Sequence, residues 1–135
     1  MFKHNCRILL VEDHPFQLKA TLYLLETYGF THITTADNAA NALQQMQLAI
    51  HPFELLLCDQ HLPDYPGLEL IRIAHRGELI KYAILLSCLG ITELEALKKT
   101  AHAQRLPLLG CLPKPLKHSE LILLLTPLHI TTQTS

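Results

Sequence analysis

The sequence predicts an α/β domain built on a parallel β-sheet with helices on both faces, and three observations predict it. Short apolar runs alternate five times with segments whose apolar residues recur at helical spacing. Parallel strands joined by right-handed helical crossovers require that pattern. The runs are continuous rather than alternating, as in Leu55-Leu56-Leu57-Cys58, which is how a strand covered on both faces reads. Several stop abruptly on polar or charged residues, most clearly at Asp59, and such sheets bind ligands beyond the carboxyl ends of their strands. With 135 residues, 49% of them hydrophobic and 17% charged, the chain can bury the core of one domain.

Cys6 to Val11 reads as the first strand and ends on the acid pair Glu12-Asp13. Pro15 suits the first turn of the helix that follows. Leu18, Leu22 and Leu25 share a face of that helix, which runs to Tyr28, and Gly29 supplies a left-handed stop. His32 to Ala36 is a short strand rich in β-branched residues, and Asp37 is the expected N-cap of the second helix. Ala39, Ala42, Leu43 and Met46 mark the inner face of that helix, and His51-Pro52 ends it. The third strand finishes at Asp59 and passes into the turn Pro63-Asp64-Tyr65-Pro66-Gly67. Gly67, Leu70, Ile71 and Ala74 give a third helix, closed at Arg76-Gly77.

Tyr82 to Leu86 is the fourth strand, ending on Ser87-Cys88. A fourth helix follows, with Leu94, Leu97 and Ala101 inside and Glu93, Glu95, Lys98 and Lys99 on its wet side. Leu106 to Leu112 is the fifth strand, interrupted at Pro107 and ending at Pro113-Lys114-Pro115. Ser119 opens a last helix with Leu121, Leu124 and Leu125, which Pro127 ends or kinks. Residues 1–130 read as a single domain, and 131–135 as a polar tail or the start of a linker.

The formal charge of −1 argues against a nucleic-acid surface, which needs a basic face. No apolar run is long enough to span a membrane, and the start of the chain is too short and too interrupted for a signal peptide. The expectation is a soluble cytoplasmic protein. Cys6, Cys58, Cys88 and Cys111 lie in or beside apolar runs, without the paired spacing of a zinc site. They read as reduced, mostly buried thiols, and the nine histidines as scattered surface residues.

The strands deliver a chemical set to one edge. The first brings Glu12 and Asp13, the third Asp59, the fourth Ser87 and the fifth Lys114. Taken singly, each has an ordinary explanation as a cap, a turn residue or a solvated charge. Gathered together, the three carboxylates would raise one another's pKa unless a cation joined them, and a hard divalent ion with oxygen ligands, Mg²⁺ in the simplest case, resolves this. Lys114 adds a charge that can grip a phosphoryl oxygen and Ser87 a hydroxyl donor. The set suits binding or transfer of a phosphoryl group. His14 and His61 stand near the acids, but their spacing does not demand a transition metal.

From Cys6 to Leu128 the chain resembles the receiver domain of two-component response regulators. Glu12-Asp13 after the first strand, Asp59 followed by Leu62-Pro63 and Gly67, then Ser87, then Lys114-Pro115 match that family's motifs in order and spacing. The resemblance implies a flavodoxin-like (βα)5 fold with strand order 2-1-3-4-5. It implies that Asp59 accepts phosphoryl from a histidine-kinase phosphohistidine. Asp13 and Asp59 would ligate Mg²⁺, or Mn²⁺ in its place, with Glu12 acting through water and the His61 backbone carbonyl as a further ligand. Ser87 and Lys114 would bind the phosphoryl oxygens, and Lys114-Pro115 would be a cis peptide. The implied partners are a sensor histidine kinase or phosphotransfer protein and an effector domain beyond this chain. A second copy is a further implied partner, through the fourth helix, fifth strand and last helix.

The sequence departs from the family pattern at Cys111, where an aromatic residue usually stands three positions before the lysine. Without that ring, output is expected to run through the Ser87–Gly90 loop and the fourth helix. Pro113 should stiffen the lysine's loop. A long Ala101–Gly110 stretch, the Glu12–Gln17 segment and Leu109-Gly110 resemble receivers fused to cyclic-di-GMP phosphodiesterase domains. Two alternatives stay open: a receiver-like interaction module that works without phosphorylation, and an aspartate-nucleophile phosphatase. The phosphatase needs an acid two residues after the nucleophile, where this chain has His61. A nucleotide-binding role is disfavoured, because no glycine-rich loop follows the first strand.

Overall fold

The computed structural model describes residues 6–87 and 90–128. Five strands alternate with five helices: β1 (Arg7–Val11), α1 (Pro15–Thr27), β2 (His32–Ala36), α2 (Ala39–Leu48), β3 (Phe53–Asp59), α3 (Gly67–Arg76), β4 (Ile80–Leu86), α4 (Ile91–Ala103), β5 (Leu108–Leu112) and α5 (His118–Leu125). All strand pairs are parallel, in the order β2-β1-β3-β4-β5, as the resemblance implied.

The continuous apolar runs are explained by burial on both faces. Successive side chains of a strand point to opposite faces, so Leu9, Val11, Leu56, Cys58 and Leu85 join one core layer with α2 and α3. Ile8, Leu10, Leu55, Leu57 and Ile84 join the other with α1 and α5. Each fully buried leucine contributes about 1.5–3 kcal/mol of apolar transfer free energy, which makes β1 and β3 the centre of the domain. The edge strands β2 and β5 are only half-buried.

Gly29 is needed where it stands. Its φ is 99°, and the N–H groups of Gly29 and Phe30 donate to the carbonyls of Glu26 and Leu25, the hydrogen-bond pair of a Schellman stop. Three local expectations are corrected. The cap of α2 is Asn38, not Asp37: its side chain accepts from the Asn41 N–H at 2.7 Å. The chain must stay extended one residue longer because the Ala36 carbonyl still takes the Glu12 N–H at 3.0 Å. Helix α3 ends at Arg76 with Gly77 as its cap, as expected, and the residue in the left-handed region is Glu78, with φ 56°. β5 begins at Leu108 rather than Leu106, and Pro107 contributes only its carbonyl, to the Ala83 N–H at 2.9 Å. A proline has no N–H to give a ladder. Helix α4 runs to Ala103, so the connection into β5 is short, and Ala101 is its one buried residue among those described. The expected readings of Cys88 and of the tail 131–135 lie outside the described residues.

Candidate phosphoryl site

The strand ends fall level with one another. Val11 is paired with Cys58, Asp59 with Leu86 and Leu86 with Leu112, so the residues just beyond them converge on one edge. Glu12 is 1% exposed, Asp59 6% and Ser87 7%, whereas Asp13 is exposed. These are the expected site acids, and the fold brings carboxylate oxygens of Glu12, Asp13 and Asp59 within 4.8 Å of one another. Lys114 reaches in from the loop after β5: its Nζ donates to Glu12 Oε1 at 2.8 Å and lies 2.9 Å from Asp59 Oδ1. Nζ also donates to Gln17 Oε1 on α1. The Ser87 N–H donates to the Leu112 carbonyl at 3.0 Å, placing that residue at the same edge. The Lys114-Pro115 peptide is cis, as expected.

The electrostatics follow from crowding. Burial pushes the Asp59 carboxyl up to about 7, the Glu12 carboxylate adds to this, and Lys114 opposes it. Burial works to raise Glu12 too, but hydrogen bonding with Asp59, Lys114 and the His14 N–H holds it below the usual range. Glu12 is therefore the carboxylate that stays ionised, and Asp59 the one that takes up a proton when no metal is present. With Lys114 as the one cation at the cluster among the described residues, three acids would, if all ionised, leave two negative charges, which a divalent ion would cancel. A second feature fits such an ion. Asp59 Oδ1 is buried and without an aligned hydrogen bond, although the Lys114 ammonium stands beside it. No histidine joins the acidic group among the described residues, so the donors are oxygen alone, the set a hard cation prefers.

The loop after β3 is held tightly. The Gly67 N–H donates to the Gln60 carbonyl at 2.8 Å, and the Leu68 N–H to Gln60 Oε1 at 3.0 Å. Asp64 caps α2 from a distance, accepting from the N–H groups of Ala39 at 2.9 Å and Ala40 at 2.8 Å. His61 is exposed and bridged to Pro66. An open depression of about 380 Å³ lies between this loop and Asp13. Sequence reading missed the partnerships of Gln17 and Asp64. Each joins segments far apart in the chain, and the only local signal was a glutamine in a first helical turn and an acid in a turn. Cys111 is half-buried in β5 and faces a cleft of about 470 Å³ between α4 and α5.

Residues 8–126 match the family model of the response regulator receiver domain. The chain belongs to that family. Among curated proteins it is 34% identical over 92 residues to a two-component response regulator of Oryza sativa subsp. indica, covering 68% of this chain and 14% of that one. It is 41% identical over 66 residues to the sensor protein TorS of Escherichia coli, covering 49% of this chain and 7% of TorS. The chain thus spans a small part of these relatives. A CheY-like receiver domain of Methanospirillum hungatei superposes with a TM-score of 0.71 at 25% identity, covering 90% of both chains. The protein is a receiver domain of the two-component kind, with the flavodoxin-like fold of such domains and the acidic pocket at which they bind Mg²⁺. Receiver domains are signalling modules that work with histidine kinases and effector domains. No helix among the described residues is long and apolar enough to cross a membrane.

Proposed function

We propose that Asp59 is the phosphoacceptor of a Mg²⁺-dependent switch, phosphorylated from a kinase or phosphotransfer-protein phosphohistidine. The observation that carries this reading is the state of Asp59 Oδ1, which is buried, beside an ammonium and free of any aligned hydrogen bond. An oxygen so placed keeps a lone pair for attack on phosphorus. The Asp59 carboxylate forms the new O–P bond as the P–N bond to the donor histidine breaks, and the histidine leaves with the electron pair and takes a proton. Mg²⁺ held by Asp13, Asp59 and the His61 carbonyl, with Glu12 acting through water, would neutralise the phosphoryl oxygens. Lys114 then turns from Asp59 to a phosphoryl oxygen, and Ser87 donates its hydroxyl to another.

Residues 1–130 are the receiver unit, and its phosphorylation switches the output of an effector domain or a partner. The chain catalyses only its own phosphorylation and dephosphorylation. A second copy, bound through α4, β5 and α5, is a further partner in this reading. Incubation with acetyl phosphate and Mg²⁺ should add the mass of one phosphoryl group, and Asp59→Asn should add none. An unmodified wild-type protein, with no spectral response to beryllofluoride, would sink this reading. The phosphorylation-independent module is favoured by Cys111 standing where a switch aromatic is usual; it requires partner affinity to be the same for wild type and Asp59→Asn in the presence of phosphodonor.

A further inference from the structure

We infer that Gln17 is a positioning residue for the phosphoryl site: it holds the Lys114 ammonium so that the attacking oxygen of Asp59 stays uncovered. The inference rests on Asp59 being the phosphoacceptor. An ammonium has three N–H donors, and Lys114 Nζ has three oxygen neighbours, on Glu12, Gln17 and Asp59. Two of these are aligned hydrogen bonds, to Glu12 Oε1 and Gln17 Oε1. The third, at 2.9 Å, is an ion pair in which Asp59 Oδ1 is left without a hydrogen bond.

The geometry assigns the difference to Gln17. Glu12 sits at the end of β1 and pulls the ammonium inward, toward the buried acids. Gln17 lies on α1, exposed to solvent, and pulls it outward. With both pulls present, the lysine lends its charge to Asp59 without donating along the lone pair that must reach phosphorus. Remove the outer acceptor and the freed N–H has one unmet oxygen within reach, Asp59 Oδ1. That bond would be charge-assisted on both sides, and it would have to break before each attack. Gln17 is neutral, so it orients the lysine without adding a fourth acid to a site that already holds three.

Gln17→Met keeps the side chain's length and shape and removes the acceptor oxygen. It should phosphorylate from acetyl phosphate about tenfold more slowly than wild type, the worth of one hydrogen bond to a charged group. Its unfolding midpoint should stay near the wild-type value, because Gln17 itself touches neither the acids nor the core. The decisive control is a double-mutant cycle. In a Lys114→Met background, already slow, adding Gln17→Met should change the rate no further. A Gln17→Met protein that phosphorylates at the wild-type rate or faster overturns the inference, as does a slowing that persists undiminished in the Lys114→Met background. Failure of wild type itself to accept phosphoryl defeats the phosphoacceptor reading instead, so the two failures are told apart by the wild-type lane.

Discussion

Gly67 lies so close to Asp59 that a β-carbon placed on it would stand 2.2 Å from the Asp59 carbonyl oxygen. The same carbon would meet Leu85 Cδ2 at 2.9 Å. The first turn of α3 therefore packs directly on the backbone that carries Asp59, with no room for a side chain. Gly67→Ala should destabilise the domain by about 2 kcal/mol or more, since neither backbone can yield cheaply. Urea unfolding checks this: the midpoint should fall while the slope stays constant. Residual folded protein should also phosphorylate poorly, because relief of the clash moves Asp59.

Gly77 tells a different story at the far end of the same helix. A β-carbon there would meet nothing closer than the Leu79 side chain, at 3.3 Å, and the left-handed turn is taken by Glu78. The sequence signal for a stop, a glycine after the last periodic residue, was right about the boundary and silent about which residue turns. Asp37 and Asn38 pose a similar choice. Both are competent caps, and the decision falls to the β1–β2 ladder, which keeps the chain extended past Ala36. The five site positions were legible because each follows an apolar run that ends a strand, so one-dimensional order alone brought them together. The contacts of Gln17 with Lys114, 97 residues apart, and of Asp64 with α2, 25 and 24 residues away, depend on loop paths that no local pattern records.

Asp59 makes apo-protein stability depend on pH. Its folded pKa is raised from 3.8 to about 7 by burial and by Glu12. Between those values the folded state binds the extra proton, so stability should fall as pH rises from about 4 to about 7. Asp59→Asn should remove that fall and be the more stable protein above pH 7 in the absence of metal. Mg²⁺ should stabilise wild type most at the upper end of the range, where Asp59 is ionised and binding the ion relieves its repulsion with Glu12. Chemical unfolding at several pH values, with Mg²⁺ or with chelator, reads all three. A wild-type curve parallel to that of Asp59→Asn would contradict the assignment.

The Asp64 carboxylate ties the loop after β3 to the start of α2. Slight burial works to raise its pKa, but the N–H groups of Ala39 and Ala40 outweigh this and hold it below the ordinary range. Its contribution should therefore be present above about pH 4 and be lost as pH falls through the depressed value. Asp64→Ala should cost about 1 kcal/mol, as lost helix caps do, and Asp64→Asn less, because one acceptor oxygen remains. The same loop carries His61, so Asp64→Ala should also weaken Mg²⁺ binding, whereas replacing Asp37, which caps nothing but the Asn41 amide, should leave it unchanged. Calorimetric Mg²⁺ titration of the two variants separates the cases.

Cys111 presents the clearest test of how the phosphorylated state is read out. It faces a cleft of about 470 Å³ lined in part by Lys98, Ala101, His102, Leu108 and Leu124, whereas Cys58, in register with Leu85 between them, is completely buried. A ring should therefore be accepted at position 111 with a stability change of about 1 kcal/mol or less, while Cys58→Phe should overpack the core and cost about 1–3 kcal/mol. The chain contains no tryptophan, so Cys111→Trp creates a single tryptophan at that position, whose emission can be excited selectively over the tyrosines. Its emission should shift to the blue when beryllofluoride and Mg²⁺ occupy the Asp59 site, as the indole moves from solvent into the cleft. That shift would show that the α4–β5 cleft still responds to the phosphoryl site and that only the ring is missing. An unchanged spectrum, from a protein in which Asp59 is demonstrably occupied, would place the response elsewhere, in the segment after Ser87.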